Sequence, residues 1–130
     1  MDIIVRIEPV AKARAQTVAN RGKVWSFTPK KTKDAEAALR LLLQPQITDS
    51  FPEHTPVKLT VCFYRTRPKT AKDAMPVRKP DLDNYIKWVS DCLNGLAFPD
   101  DSQITTVVAS KRWATTDYPY ITIGLVEDSL

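Results

Sequence analysis

Five of the chain's fifteen acidic residues fall within "KPDLDNYIKWVSDCLNGLAFPDDSQI", Lys79 to Ile104. Asp81 and Asp83 flank a leucine ahead of a helix-like run, Asp91 lies inside it, and Asp100 and Asp101 stand side by side just after it. Free backbone N–H groups and the helix dipole favour negative charge at a helix start. Capping therefore accounts for Asp81 or Asp83, but one cap needs one carboxylate. If the strand after Asp101 runs back beside the helix start, three or four carboxylates converge, and like charges gathered together cost stability unless something positive sits among them. A hard divalent cation bound by aspartate oxygens, waters and a substrate phosphate would meet that demand. Softer metals fail on ligand count, since His54 is the only histidine and Cys62 and Cys92 lack the spacing of a thiolate site. Ser-His and Cys-His nucleophile systems would rest on that same lone loop residue. Lys87, one turn after Asp83 and one before Asp91, can reach the acids or a phosphate beside them, although its type and spacing also suit an ordinary surface ion pair.

These residues need elements to hold them. Leu82, Ile86, Val89 and Leu93 recur at helical spacing, and Gly95 stands where a C-cap glycine belongs, which predicts a helix over 82–94 with Asn84, Lys87, Asp91 and Asn94 on its other face. Upstream, Val57, Leu59, Val61 and Phe63 alternate with polar partners as a strand with one face on a core. Asp2 to Glu8 reads as a first strand, and "VWSF" at 24–27 as a short one. The stretch from Thr28 offers Thr28 as N-cap, Pro29 at the first helical position, and an apolar part of Ala38, Leu39, Leu41, Leu42 and Leu43 before Pro45 stops the first helix. Gln103–Trp113 and Tyr120–Glu127, joined through "ATTDYP", read as a hairpin with a longer loop. The expectation is an α+β fold, a mixed β-sheet with two main helices in the order β-α-β-α-β-β, forming a single domain over 1–130, since 130 residues can bury one core but not comfortably two. Cys62 and Cys92 read as buried free thiols. Trp25, Trp88 and Trp113 fit core positions, with base stacking as the alternative; Phe98 and Pro99 shape the turn before the acids.

The formal charge of +4 understates how far the signs are segregated. Pro9 to Lys33 holds seven basic residues and no acid, and Arg65 to Lys79 holds six against Asp73 alone, so thirteen of the nineteen Lys and Arg lie in two segments. A polyanion partner is the inference, and solubility alone the alternative. Three prolines in the second segment favour an extended loop. No run approaches the roughly 18 apolar residues of a membrane span, and the N-terminal residues are unlike a signal peptide, which leads us to expect no membrane partner and a cytoplasmic location. Basic loops gripping a phosphate backbone, acids holding Mg²⁺ at one phosphodiester, and a lysine offsetting the charge of the transition state make a coherent nuclease. A DNA-binding module without catalysis, its acids capping a helix, is one rival, and a metal-dependent nuclease for other branched or single-stranded DNA is the second.

The same stretch resembles the signature of the RusA family of Holliday-junction resolvases: a basic residue before "PDLDN", a lysine, a helix, then a "DD-Q" element about twenty residues on. Here these are Asp81, Leu82, Asp83, Asn84, Lys87, Asp91, Asp100, Asp101 and Gln103. The segment from Arg6 ending in "TPKKT" also looks like the start of many members, although "AKARAQ" lacks prolines often found there, Gln16 stands where many relatives are basic, and Lys79 replaces the commoner arginine. The resemblance implies Asp81, Asp83 and Asp101 as Mg²⁺-binding catalytic acids, with Mn²⁺ as a substitute, and Lys87 as catalytic lysine; Asp91 and Asp100 match commonly acidic positions. It implies a homodimer that resolves four-way DNA junctions without a small-molecule cofactor, in which the metal activates water and Lys87 stabilises the added negative charge. Lys12, Arg14, Lys30, Lys31, Arg67, Lys69 and Arg78 are the candidate backbone contacts, positioning DNA without reading its bases.

Overall fold

The computed structural model describes residues 1–12, 16–20, 22–27 and 30–130, with backbone only for 16–20 and 23–27. Arg14 and the proposed Thr28 and Pro29 cap lie outside the described residues, as does the side chain of Trp25. The elements are β1 (Asp2–Val5), β2 (Gln16–Asn20), β3 (Lys23–Phe27), α1 (Lys30–Leu43), β4 (Val57–Arg65), α2 (Leu82–Leu93), β5 (Ile104–Trp113) and β6 (Tyr120–Glu127). A four-stranded mixed sheet runs β1-β6-β4-β5, and β2 and β3 form a separate antiparallel ribbon. Leaving that ribbon aside, the order is β-α-β-α-β-β, the expected α+β fold. The strand at 24–27 is found within β3, whereas its partner β2 is an additional strand within the first basic segment.

Alternation along β4 and β6 decides which face is buried. Leu59, Val61 and Phe63 on β4 and Ile121, Ile123 and Leu125 on β6 are fully or almost fully buried, with Ile3 and Val5 of β1 beside them. Over them lie α1, through Leu39 and Leu43, and α2, through Tyr85, Trp88, Val89, Cys92 and Leu93. Phe63 and Tyr85 stack with ring centroids 5.1 Å apart, which joins the sheet to α2. Burying a side chain of this size is worth roughly 1.5–3 kcal/mol, so α2 is anchored mainly by this face. Among the described residues no helix covers the opposite sheet face, which leaves Ile4, Val108 and Val126 exposed.

Three expectations change. The last two strands are not a hairpin: β4 lies between them, pairing parallel with β5 and antiparallel with β6. No β5 residue is fully buried, whereas β4 and β6 bury every second side chain over their central parts. The strands with the strongest apolar alternation take the interior, β5 takes the edge, and the loop between β5 and β6 crosses the end of β4. The first strand stops at Val5 rather than Glu8, because Val5 pairs with Ile121 and β6 begins one residue earlier at Tyr120. Cys92 is buried, and burial pushes its thiol up to about 12, but Cys62 is only half-buried, on the helix-free face, where its sulfur accepts a hydrogen bond from Ser110 at 3.6 Å.

Candidate active site and nucleic-acid interface

Asp81 takes the N-cap position of α2 with extended backbone (φ −71°, ψ 146°), yet its carboxylate makes no capping hydrogen bond. Capping thus leaves this side chain uncommitted. Asp83 follows in the first turn, exposed, and Lys87 and Asp91 continue along the same side at four-residue intervals. The helix ends at Asn94, and Gly95 at φ +81° reverses the chain, its N–H donating to the Phe98 carbonyl at 2.8 Å. Such a left-handed conformation suits glycine. Phe98 is fully buried and sets the depth of this return.

The chain then delivers the second pair of acids. Asp101–Gln103 is one turn of 3₁₀ helix packed against α2. Gln103 is buried, its amide donating to the carbonyls of Pro52 (2.9 Å) and Thr55 (3.1 Å) while its oxygen accepts from the Asp100 N–H at 3.3 Å. This glutamine of the "DD-Q" element is a clamp that fixes the turn to a neighbouring loop. It also separates the roles of the two aspartates. Asp100 is exposed, and the Ser102 hydroxyl, donating at 2.6 Å, holds its carboxyl below the usual range. Asp101 is half-buried, and its carboxyl is raised by burial and then by the charges of Asp100 and Asp91, against which Lys87 acts in the lowering direction. Asp101 is therefore the member of the pair that senses α2.

Asp91, Asp100, Asp101 and Lys87 thus share one electrostatic neighbourhood, while Asp81 and Asp83 begin the same helix outside the charges that dominate on Asp101. Among the described residues no three His, Cys, Asp or Glu side chains stand together as a ready metal-binding group. The donor chemistry nonetheless fits a hard cation: every candidate ligand is a carboxylate, and Asp101, raised first by burial and then by the charges of Asp100 and Asp91, is an acid that a bound cation would offset.

Lys12 has a role that its sequence context hides. Its backbone N–H donates to the Asn84 carbonyl (3.1 Å), and its ammonium bridges Asp91 of α2 and Glu36 of α1, the latter at 3.3 Å. Burial alone would lower its pKa, but the hydrogen bond and charge of Asp91, then those of Glu36, leave it raised. Arg40 of α1 meanwhile donates to the Cys92 (3.3 Å) and Asn94 (3.1 Å) carbonyls at the end of α2. The two helices are tied at both places by cations, and no local pattern could have announced it.

Across residues 6–125 the sequence matches the profile of the family described as "Endodeoxyribonuclease RusA". The chain belongs to the RusA family. It is also similar to the uncharacterized protein YqaN of Bacillus subtilis (strain 168), 33% identical over 119 aligned positions, with 82% of this chain and 83% of that protein covered.

In this RusA-family chain the second basic segment packs against the end of β5. Lys111, passed over in the sequence, donates to the carbonyls of Arg78 and Pro80, each at 2.9 Å, and so pins the strand of chain that leads into Asp81. Asp73 gathers the loop: its carbonyl accepts from Trp113 Nε1 (3.0 Å) and Arg67 (3.2 Å), and its carboxylate faces Arg78 at 3.4 Å. The Arg78 side chain remains 88% exposed, and Lys69, Lys30 and Lys31 are exposed as well. Trp88 is core; Trp113 is half-exposed. None of the described helices is long and apolar enough to cross a membrane.

Proposed function

We propose that this chain, as one domain and as a cytoplasmic homodimer, is a Mg²⁺-dependent endonuclease that resolves four-way DNA junctions by phosphodiester hydrolysis. The observation that carries the reading is Asp101, half-buried and under the charges of Asp91 and Lys87 on α2, the helix whose N-terminal end carries Asp81 and Asp83, in a member of a family of endodeoxyribonucleases. Asp81, Asp83 and Asp101 would hold Mg²⁺ or Mn²⁺, which when bound supplies Lewis-acid polarisation of the phosphate and a water of lowered pKa. The protein's own groups do the rest. Lys87, exposed on α2, offsets negative charge added to the phosphate in the transition state. The exposed Lys30, Lys31, Arg67, Lys69 and Arg78, together with Arg14, grip the backbone on either side. Lys12, paired with Asp91 and Glu36, positions α2 rather than DNA. Two-fold symmetry suits a reaction that needs matched cuts in opposed strands.

The test is a synthetic mobile junction incubated with Mg²⁺ and either wild-type or Asp83→Asn protein, alongside flap, fork and linear duplex substrates. The expected result is paired cuts in the junction by the wild type, slowed about 100-fold or more by the substitution while binding persists. Junction binding without cleavage would leave a non-catalytic module, and preferential cutting of flaps or forks would reassign the substrate.

A further inference from the structure

A cavity of about 410 Å³ lies between the second basic loop and the end of β5. Among the described residues its walls include the cations Arg65, Lys72, Arg78 and Lys79, a single carboxylate, Asp73, and one aromatic ring, Trp113. The indole is held in place by its bond to the Asp73 carbonyl, and the Arg65 guanidinium lies 5.4 Å from its ring centroid. Val77, also in the wall, is 70% exposed, a large apolar side chain with little covering it. A bare phosphate site would need the cations alone. A fixed indole and an apolar rim beside them suit a ligand with an anionic end and a flat, partly apolar end. Cavities of this size accommodate ligands of a few hundred Å³.

We propose that this cavity is a subsite for one unstacked nucleotide of the DNA substrate, with the base against Trp113 and the phosphate among Arg65, Lys72 and Arg78. The inference rests on the nuclease reading and extends it. Lys79 is two residues from Asp81, so their Cα atoms are within about 7 Å, one or two rises of a DNA strand. Lys111 fixes that short connection from below. A nucleotide held in the cavity would therefore sit beside the phosphodiester offered to the acids. Extracting a base is least costly where stacking is already interrupted, as at a branch point, so the subsite would favour junctions over continuous duplex.

The test is a titration of wild-type protein, without divalent metal, with each deoxynucleoside 5′-monophosphate and with deoxyribose 5-phosphate, read by the indole ¹⁵N–¹H resonances of the three tryptophans. The expected result is a shift of the Trp113 resonance and binding about tenfold tighter for the nucleotides than for the sugar phosphate. Trp113→Leu should remove that difference and Trp113→Phe should keep most of it. Equal binding of the sugar phosphate, or nucleotide shifts confined to Trp25 or Trp88, would overturn the proposal. Should Trp113→Leu fail to fold by circular dichroism, Val77→Asp at the exposed rim must weaken nucleotide binding several-fold, and unchanged binding would also overturn it. Because no metal or cleavage enters the measurement, a protein that cuts junctions but ignores mononucleotides loses only the subsite. One that binds them but cuts no DNA loses the nuclease reading.

Discussion

The two basic segments look alike as strings of letters, yet the fold uses their charge differently. In the first, Lys12 is drawn inward to bridge Asp91 and Glu36, while Lys30 and Lys31 stay exposed at the start of α1. In the second, four cations face a cavity beside Asp81, and the nearby Lys111 is consumed in holding the loop. The lesson is that a lysine counts toward a phosphate grip only after its internal partners are known. A cation held by internal partners contributes to packing, whereas one left to solvent still presents its charge.

The largest expected effect comes from stripping the displayed charge. Replacing Arg67, Lys69 and Arg78 together by glutamine should lower junction affinity about 100-fold near 0.1 M salt and reduce the slope of log affinity against log salt by roughly 3. Thermal unfolding should hardly move, because exposed pairs such as Arg78–Asp73 contribute little. Fluorescence anisotropy over a salt series measures both; an unchanged slope would mean that this loop does not grip DNA.

Lys12→Met should do the reverse. Two partly buried carboxylates lose their shared cation, for a loss of about 1–3 kcal/mol and a midpoint lower by roughly 3–10 °C, with junction affinity changed less than about threefold. The raised lysine contributes stability that is fully present below its ordinary value of 10.5 and is lost as pH rises through the higher folded value. The gap between wild type and variant should accordingly close in strongly alkaline buffer. A variant as stable as wild type at pH 7 but weak in DNA binding would return Lys12 to the interface.

Asp101→Asn should produce a smaller shift, in the opposite direction. The folded chain keeps the Asp101 proton at pH values where the unfolded chain has lost it, so stability falls as pH climbs from 3.8 through the raised folded value. Removing the charge should raise the metal-free midpoint by about 2–3 °C at neutral pH, a gain that vanishes near pH 3. Added Mg²⁺ should stabilise the wild type and leave the variant unmoved. Calorimetry showing no response to Mg²⁺ in either protein would remove Asp101 from the proposed ligands.

Much of this was legible from the chain. The alternation of Val57 to Phe63 and of Tyr120 to Glu127 fixed two buried strands, because a period of two leaves one way to hide the apolar face. The helical spacing from Leu82 to Leu93 and the glycine at 95 placed α2 almost to the residue. The spacing of the aspartates raised the question of a shared counter-charge, because like charges packed together cost stability unless something positive sits among them.

Sequence by itself left open which strands pair, which of two adjacent aspartates turns inward, and which lysines remain available. Strand partners were settled by competition for the interior, in which β4 displaced β5 from the side of β6. Asp101 rather than Asp100 was turned toward α2 because Gln103 found carbonyl partners some fifty residues earlier in the chain, a contact that no window around the motif contains. Lys12 was committed only once α1 and α2 brought Glu36 and Asp91 to the same ammonium. Local patterns specify periodicity and chemistry; partners distant in sequence are chosen only when the core closes and burial makes each polar group find a match.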